Sequence, residues 1–372
     1  MNSTLPFIPL ASPDIQDQDI AEVVRVLKSG MLVQGAEVEQ LEQTIASLIG
    51  VRNCIAVSNG TATMHLCLIA RGIGPGDEVI VPAFSYVATA NVVELTGAKP
   101  VFVDIDMATF NIDVAKIEAA ISPRTKAIIP VHEFGLAADI GAIKAIAVKH
   151  SLYIIEDAAC ALGAKECNEF VGSFGAAGSF SLHPRKAITT GEGGLITTND
   201  DQLAIQLRQL RNHGIQYDHG KMDFVVAGYN YRMTNFQAAL ACSQLKRLQH
   251  IITYKNELAE VYYNEIKNPL VTLPVVPNNK LHSWQTFHLL LDDSIDQFTV
   301  ISQLKENGIG TNYGAQCIPF QTFYAAKYQL SSAALFPNAL KAFTNGLAIP
   351  IYEKMTKEDI KRVSHSINKI SN

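Results

Sequence analysis

Between residues 50 and 200 the chain alternates short apolar runs with longer helical stretches, and this alternation limits the fold more than any other feature. The runs 54–57, 78–82, 99–103, 127–131, 152–156, 178–181 and 194–197 read as strands. The stretches 62–72, 85–95, 114–120, 139–150 and 201–214 read as helices. Strands that are apolar along their whole length are covered on both faces, and strand–helix repetition favours a mostly parallel sheet. The expectation is an α/β fold with a central, mostly parallel sheet sandwiched by helices. Further on, 235–267 reads as one long helix until Pro269, Pro274 and Pro277 break it. Residues 285–291 are strand-like and 299–307 helical. Thr356-Lys357-Glu358-Asp359 fits a capping box for a last helix ending near Ile370. The pattern divides the chain into a large domain, 1–245, and a smaller C-terminal α+β domain, 246–372.

Three segments carry the chemistry. Ser179-Phe180-Ser181-Leu182-His183-Pro184-Arg185-Lys186 runs into Ala187-Ile188-Thr189-Thr190-Gly191-Glu192-Gly193-Gly194 and sets one lysine between a hydroxyl-rich and a glycine-rich turn. An amine so placed can be held neutral and make a Schiff base with an aldehyde, of which pyridoxal phosphate (PLP) is the common cofactor example. Read alone, Lys186 is an ordinary surface lysine. The second segment, Ser151 to Ala159, ends an apolar run with Glu156-Asp157. Acidic residues there point into the crevice where open α/β sheets bind ligands. Asp157 suits a protonated pyridine nitrogen, although a helix cap is the plainer reading. Glu156, facing the other way along a strand, reads as structural. In the third, Ser58-Asn59-Gly60-Thr61-Ala62 precedes a helical run, so free N–H groups and the Thr61 hydroxyl can cradle a phosphate. The same residues make an ordinary N-cap. Neither GxGxxG nor a Walker sequence occurs.

With cradle, strand-end aspartate and loop lysine in this order, the chain resembles the fold-type I PLP enzymes. More narrowly it is similar to the DegT/DnrJ/EryC1/StrS family of nucleotide-sugar aminotransferases. Further matching words are Pro82-Ala83-Phe84-Ser85-Tyr86-Val87-Ala88-Thr89-Ala90-Asn91, Glu156-Asp157-Ala158-Ala159 and Gly228-Tyr229-Asn230-Tyr231-Arg232-Met233. The resemblance implies that Lys186 anchors PLP covalently and then moves the proton. It implies that Asp157 pairs with the ring nitrogen and Tyr86 stacks on the ring. Gly60, Thr61, Ala62 and Ser181 would hold the phosphate. Asn230 and Arg232 would reach into a neighbouring subunit's site, which implies a homodimer with shared sites. Two positions depart from the pattern. Cys160 stands where relatives often carry Gln or His near the cofactor's hydroxyl, so a water or another residue is expected to take over. Asn312-Tyr313-Gly314-Ala315-Gln316 stands where many relatives have a His-containing segment facing the sugar. Asn312, Tyr313 and His183 are candidate substrate contacts. His132 reads either as facing the site or as a satisfied core histidine.

The implied reaction takes an amino group from glutamate, through pyridoxamine phosphate, to a nucleotide-linked keto-deoxysugar. The run His183-Pro184-Arg185-Lys186-Ala187-Ile188-Thr189-Thr190-Gly191-Glu192 sides with C4-aminating members. The pattern looks most like enzymes making dTDP-4-amino-4,6-dideoxyglucose (viosamine) for surface glycans such as O-antigen. C3 amination of a 3-keto-6-deoxy sugar, and GDP- or UDP-linked 4-keto sugars, stay open. A PLP-dependent sugar dehydratase would carry histidine in place of Lys186. A non-catalytic PLP or sugar-nucleotide binding regulator predicts a damaged lysine or an added DNA-binding segment. A formal net charge of −5 gives no electrostatic footprint for nucleic acid, and no basic block suggests a membrane surface. The six cysteines, Cys54, Cys67, Cys160, Cys167, Cys242 and Cys317, form no CxxC and read as reduced thiols of a cytoplasmic enzyme. Met1 to Pro13 lacks the pattern of a signal peptide. No metal site is expected.

Overall fold

The computed structural model describes residues 6–371, so the first residues of the stretch Met1 to Pro13, where no leader is expected, lie outside it. Seven strands make the main sheet: β1 (Asn53–Val57), β2 (Glu78–Pro82), β3 (Lys99–Val103), β4 (Thr125–Ile128), β5 (Tyr153–Asp157), β6 (Ala177–Ser181) and β7 (Gly194–Thr198). Their spatial order is β1-β7-β6-β5-β4-β2-β3. Only β7 runs against its two neighbours; the other four pairings are parallel. Strands β2, β6 and β7 are buried at every position, as a sheet covered on both faces requires. The sheet is therefore the mostly parallel, helix-sandwiched one that the sequence predicts. Because β1, β6, β5 and β4 are co-directional, their carboxyl ends open on one edge. That edge is where α/β sheets bind ligands.

The helix Gly60–Ala70 is apolar on all sides because it is wedged between the sheet and the helices Ala88–Leu95 and Asp201–Arg211. Two helices ahead of the alternating region, Asp17–Ser29 and Ala36–Ile49, pack on Asn235–Leu245. A second core gathers Tyr262, Phe287, Leu289, Leu347, Ile349 and Val363 around a small antiparallel sheet of Val271–Thr272, Phe287–Leu291 and Gly346–Ile349. Ile8 joins this core and bridges to Ile309.

Two expectations about elements need correction. The stretch 235–267 is two helices, Asn235–Leu245 and Leu248–Glu265. Arg247 breaks it at φ −112° and ψ 6°. Its guanidinium donates to Asp19 Oδ2 at 2.7 Å and Oδ1 at 3.0 Å, and to the Asp14 carbonyl at 2.6 Å. The helix read from residue 85 begins at Ala88, because Phe84–Ser85 pairs with Gln316–Cys317 as a short antiparallel ladder. No helix among the described residues is long and apolar enough to cross a membrane.

Candidate active site

At the end of β1 the chain turns into the helix Gly60–Ala70. Asn59 caps it by accepting from the Ala62 N–H at 2.8 Å. The Gly60 and Thr61 N–H groups have no acceptor among the described residues, so both stay available at the positive end of the helix dipole. Ser181, at the end of β6, lies against this turn. A Cβ on Gly60 would come within 2.7 Å of Ser181 Cβ, so only glycine permits the approach. Gly60, Thr61 and Ser181 thus line one end of a common cleft.

Adjacent residues at the end of β5 face opposite ways, as a strand dictates. Glu156 turns into the core, where it accepts the N–H groups of Gly172, Phe174 and Gly175 at 2.7, 2.9 and 2.9 Å. It also meets His132 Nε2 at 3.0 Å. His132 Nδ1 accepts the Ala138 N–H at 3.0 Å, so the neutral ring carries its proton on Nε2 and donates to Glu156. His132 is therefore a satisfied core histidine. Asp157 turns into the cleft. It accepts from the Thr89 hydroxyl at 2.8 Å and the Ala159 N–H at 3.2 Å, both neutral donors. Burial pushes its pKa up, against the pull of those bonds and of the more distant Lys186. A buried carboxylate supported only by neutral donors suits a cation brought in from outside.

Lys186 enters the cleft from the loop after β6, and its Nζ donates to Cys160 Sγ at 3.0 Å. Burial raises the Cys160 pKa, so the amine faces a thiol. His183 lines the same cleft and is held below the usual histidine range by burial. Tyr86 is 67% exposed and borders the opening, so it is not core packing. The cleft holds about 710 Å³, within the range of small-molecule sites. Gly314 and Ala315 line it from the C-terminal part of the chain. Asn312 and Tyr313 do not line it. The Asn312 side chain accepts the Gly314 N–H at 2.9 Å, and Tyr313 lies edge-on to Phe343 at 5.5 Å. Asn230 and Arg232 also lie off the cleft. The segment runs beside β1 through an Arg232–Val57 bridge, so alternation turns Tyr231 into the cleft and its neighbours away. The Arg232 guanidinium donates to the Asn212 side chain.

Cleft residues missed in the sequence include Thr89, which donates to Asp157, and an acid. Glu133, just beyond β4, is 4% exposed among Ser85, Asp157, Cys160 and Lys186. Burial, and then the charge of Asp157, push its pKa up to about 8. His132-Glu133-Phe134-Gly135 has no periodicity or spacing that marks the acid. The strand order alone brings it beside the lysine.

The DegT/DnrJ/EryC1/StrS aminotransferase family model matches residues 13–368. The chain belongs to that family. The spore coat polysaccharide biosynthesis protein SpsC of Bacillus subtilis is 37% identical, over 98% of this chain and 97% of that protein. The putative sugar aminotransferase Spr1654 of Streptococcus pneumoniae, in its pyridoxamine phosphate form, superposes with a TM-score of 0.92 at 27% identity, covering 97% of each chain. PseC of Helicobacter pylori, an aminotransferase of pseudaminic acid biosynthesis, superposes at 0.91 with 28% identity and 98% of each chain. Family members are PLP-dependent, and Spr1654 is also known in its PLP form. The cleft fits that cofactor. It offers an amine, a buried carboxylate in want of a cation, and a turn of free N–H groups that a Cβ would close.

Proposed function

We propose that this sugar aminotransferase moves an amino group from glutamate to the C4 keto group of a nucleotide-linked 4-keto-6-deoxy sugar, dTDP-4-keto-6-deoxyglucose, for bacterial surface glycans. The observation that carries the reading is the pairing of Lys186 and Asp157 in one cleft, with the helix-start cradle beside them. The spore coat polysaccharide role of SpsC supports the glycan context, and the His183-to-Glu192 run supports C4. PLP, when bound, supplies an aldehyde for primary amines and a ring that accepts electrons from the adjoining carbon.

The chain's own groups do the rest. Gly60 and Thr61 N–H, with the Ser181 hydroxyl, bind the phosphate. Asp157, kept anionic by Thr89, Ala159 and the ring cation, holds the nitrogen protonated. Tyr86 covers one face of the ring and excludes water. Lys186 Nζ would take the proton from the donor's carbon and pass it to the cofactor's carbon, and would carry it the opposite way, onto the sugar carbon, when the keto sugar is aminated. His183 borders the cleft where the sugar enters.

The enzyme acts as a homodimer in this reading. The antiparallel hairpin of Ile215–Asp218 and Lys221–Phe224 leaves Tyr217 70%, Met222 55% and Phe224 59% exposed, and Asn230 and Arg232 follow it. Exposed apolar surface of this kind marks an interface. A panel of dTDP-, UDP- and GDP-linked 3-keto and 4-keto sugars with glutamate, read by mass spectrometry, tests the assignment. A C4 amine from the dTDP sugar is expected. A C3 amine, or turnover of another nucleotide alone, would overturn it.

A further inference from the structure

Glu133 is a buried acid of the cleft with no part in the chemistry above. Its backbone N–H is fixed by Asn111 Oδ1 at 2.9 Å. The loop around it is held at several points. His132 is pinned to Glu156, Phe134 takes a left-handed φ of 54°, and Gly135, at φ 101°, packs so closely that a Cβ would lie 3.1 Å from the Cys160 carbonyl. The carboxyl group is thus presented to the cleft, where its Oε2 is buried and meets no hydrogen-bond partner. A buried oxygen left in that state is costly unless a ligand completes it.

Strand order indicates what it meets. Along the binding edge come Gly60 and Thr61 after β1, Ser181 ending β6, Asp157 ending β5 and Glu133 after β4. The phosphate cradle lies to one side of Asp157 and Glu133 to the other. In PLP the aldehyde stands opposite the ring nitrogen, between the phosphate arm on one flank and the ring hydroxyl on the other. With the nitrogen at Asp157 and the phosphate at Gly60, the hydroxyl falls on the Glu133 flank. Cys160 shares that flank, but its Sγ already receives Lys186, and a thiol is a weak hydrogen-bonding group.

We propose that Glu133 hydrogen-bonds the ring oxygen of PLP and does so as a neutral acid that donates its proton. The proposal rests on the assignment of Lys186 and Asp157 given above. Burial and Asp157 favour the neutral form, while Lys186, the Ser85 hydroxyl and the Phe134 N–H oppose it. The other polar neighbour is the Cys160 thiol. His282 and His288, which line a small cavity behind Glu133, are uncharged because burial lowers both to about 3. A neutral acid suits the position because the ring oxygen it meets carries negative charge, which a carboxylate would repel.

The test reads the visible spectrum and PLP affinity rather than turnover. Donation to the ring oxygen competes with that oxygen's bond to the lysine-linked nitrogen, and so lowers the pH at which the visible band titrates. Glu133→Gln keeps a donor of the same shape, whereas Glu133→Leu removes it. The Gln variant is expected to titrate within about half a pH unit of the parent. The Leu variant should titrate about one unit higher and bind PLP about ten-fold more weakly. Glu133→Ala makes the same comparison if leucine prevents folding. A fall of about one unit in the Gln variant would show an ionised Glu133. Unchanged titration and affinity in the Leu and Ala variants would show no contact with the cofactor. Either result overturns the proposal. A parent enzyme that binds PLP without a lysine-linked visible band would instead strike the Lys186 assignment beneath it.

Discussion

Four ionisable side chains at the binding edge divide the labour, and substitution separates them. Glu156 accepts three backbone N–H groups and a histidine inside the core. Glu156→Gln turns one acceptor into a donor among donors and should cost about 1–3 kcal/mol in urea unfolding. Asp157→Asn should behave oppositely. It removes a buried carboxylate whose pKa is pushed up, so the cofactor-free protein should melt higher at neutral pH while turnover falls at least ~100-fold. Lys186→Ala should lose at least ~100-fold in turnover and all lysine-linked absorbance. Glu133 sets a pH signature in the cofactor-free protein. Its carboxyl is raised from 4.5 to about 8, so unfolding releases a proton across that window. Stability should fall as pH rises from about 4.5 to about 8 and level off above. Urea midpoints measured against pH should show a shallower fall in Glu133→Gln. Lys186 and Asp157 were legible as cleft residues only through the order of the three segments and the resemblance they carry, since each read alone has a plainer structural meaning. Glu133 was not, because only the packing of β4 beside β5 makes it a neighbour of either.

Element boundaries show the same divide between local and distant causes. The limits of β2 and β3 were legible to the residue, since apolar runs bounded by Gly and Pro are local signals. The start of the last helix was legible too, where Thr356 accepts the Asp359 N–H at 3.1 Å and Asp359 accepts the Thr356 N–H at 2.9 Å, although the helix ends at Asn368 and not near Ile370. Thr356→Ala should cost about 1 kcal/mol in thermal or urea unfolding. The break at Arg247 was not legible. Its cause is Asp19, 228 residues away in sequence, and no Pro or Gly marks the place. The late start of the helix at Ala88 has a similar cause in the Gln316–Cys317 pairing. The cradle turn was legible as composition, but not the close approach that makes Gly60 necessary. Gly60→Ala should displace Ser181 or the helix start and weaken PLP binding by about 10- to 100-fold, measured by equilibrium dialysis.

For the whole molecule, the proposed dimer gives Asn230 and Arg232 a use that their own cleft does not. Mixing Lys186→Ala chains with Arg232→Ala chains should restore about a quarter of parental activity after random exchange, because half the dimers are mixed and each has one intact site. No recovery, with exchange proven by mass spectrometry, would mean that each chain builds its site alone. The central claim is that Lys186 carries PLP through an amino-transfer cycle ending on a keto sugar. Its most direct test is the visible absorbance of the purified holoenzyme through one turnover without excess donor. Glutamate should bleach the lysine-linked band, and dTDP-4-keto-6-deoxyglucose, added after the glutamate is removed, should restore it while forming one equivalent of amino sugar. A band that glutamate leaves untouched, or a bleached enzyme that no nucleotide-linked keto sugar restores, would contradict it.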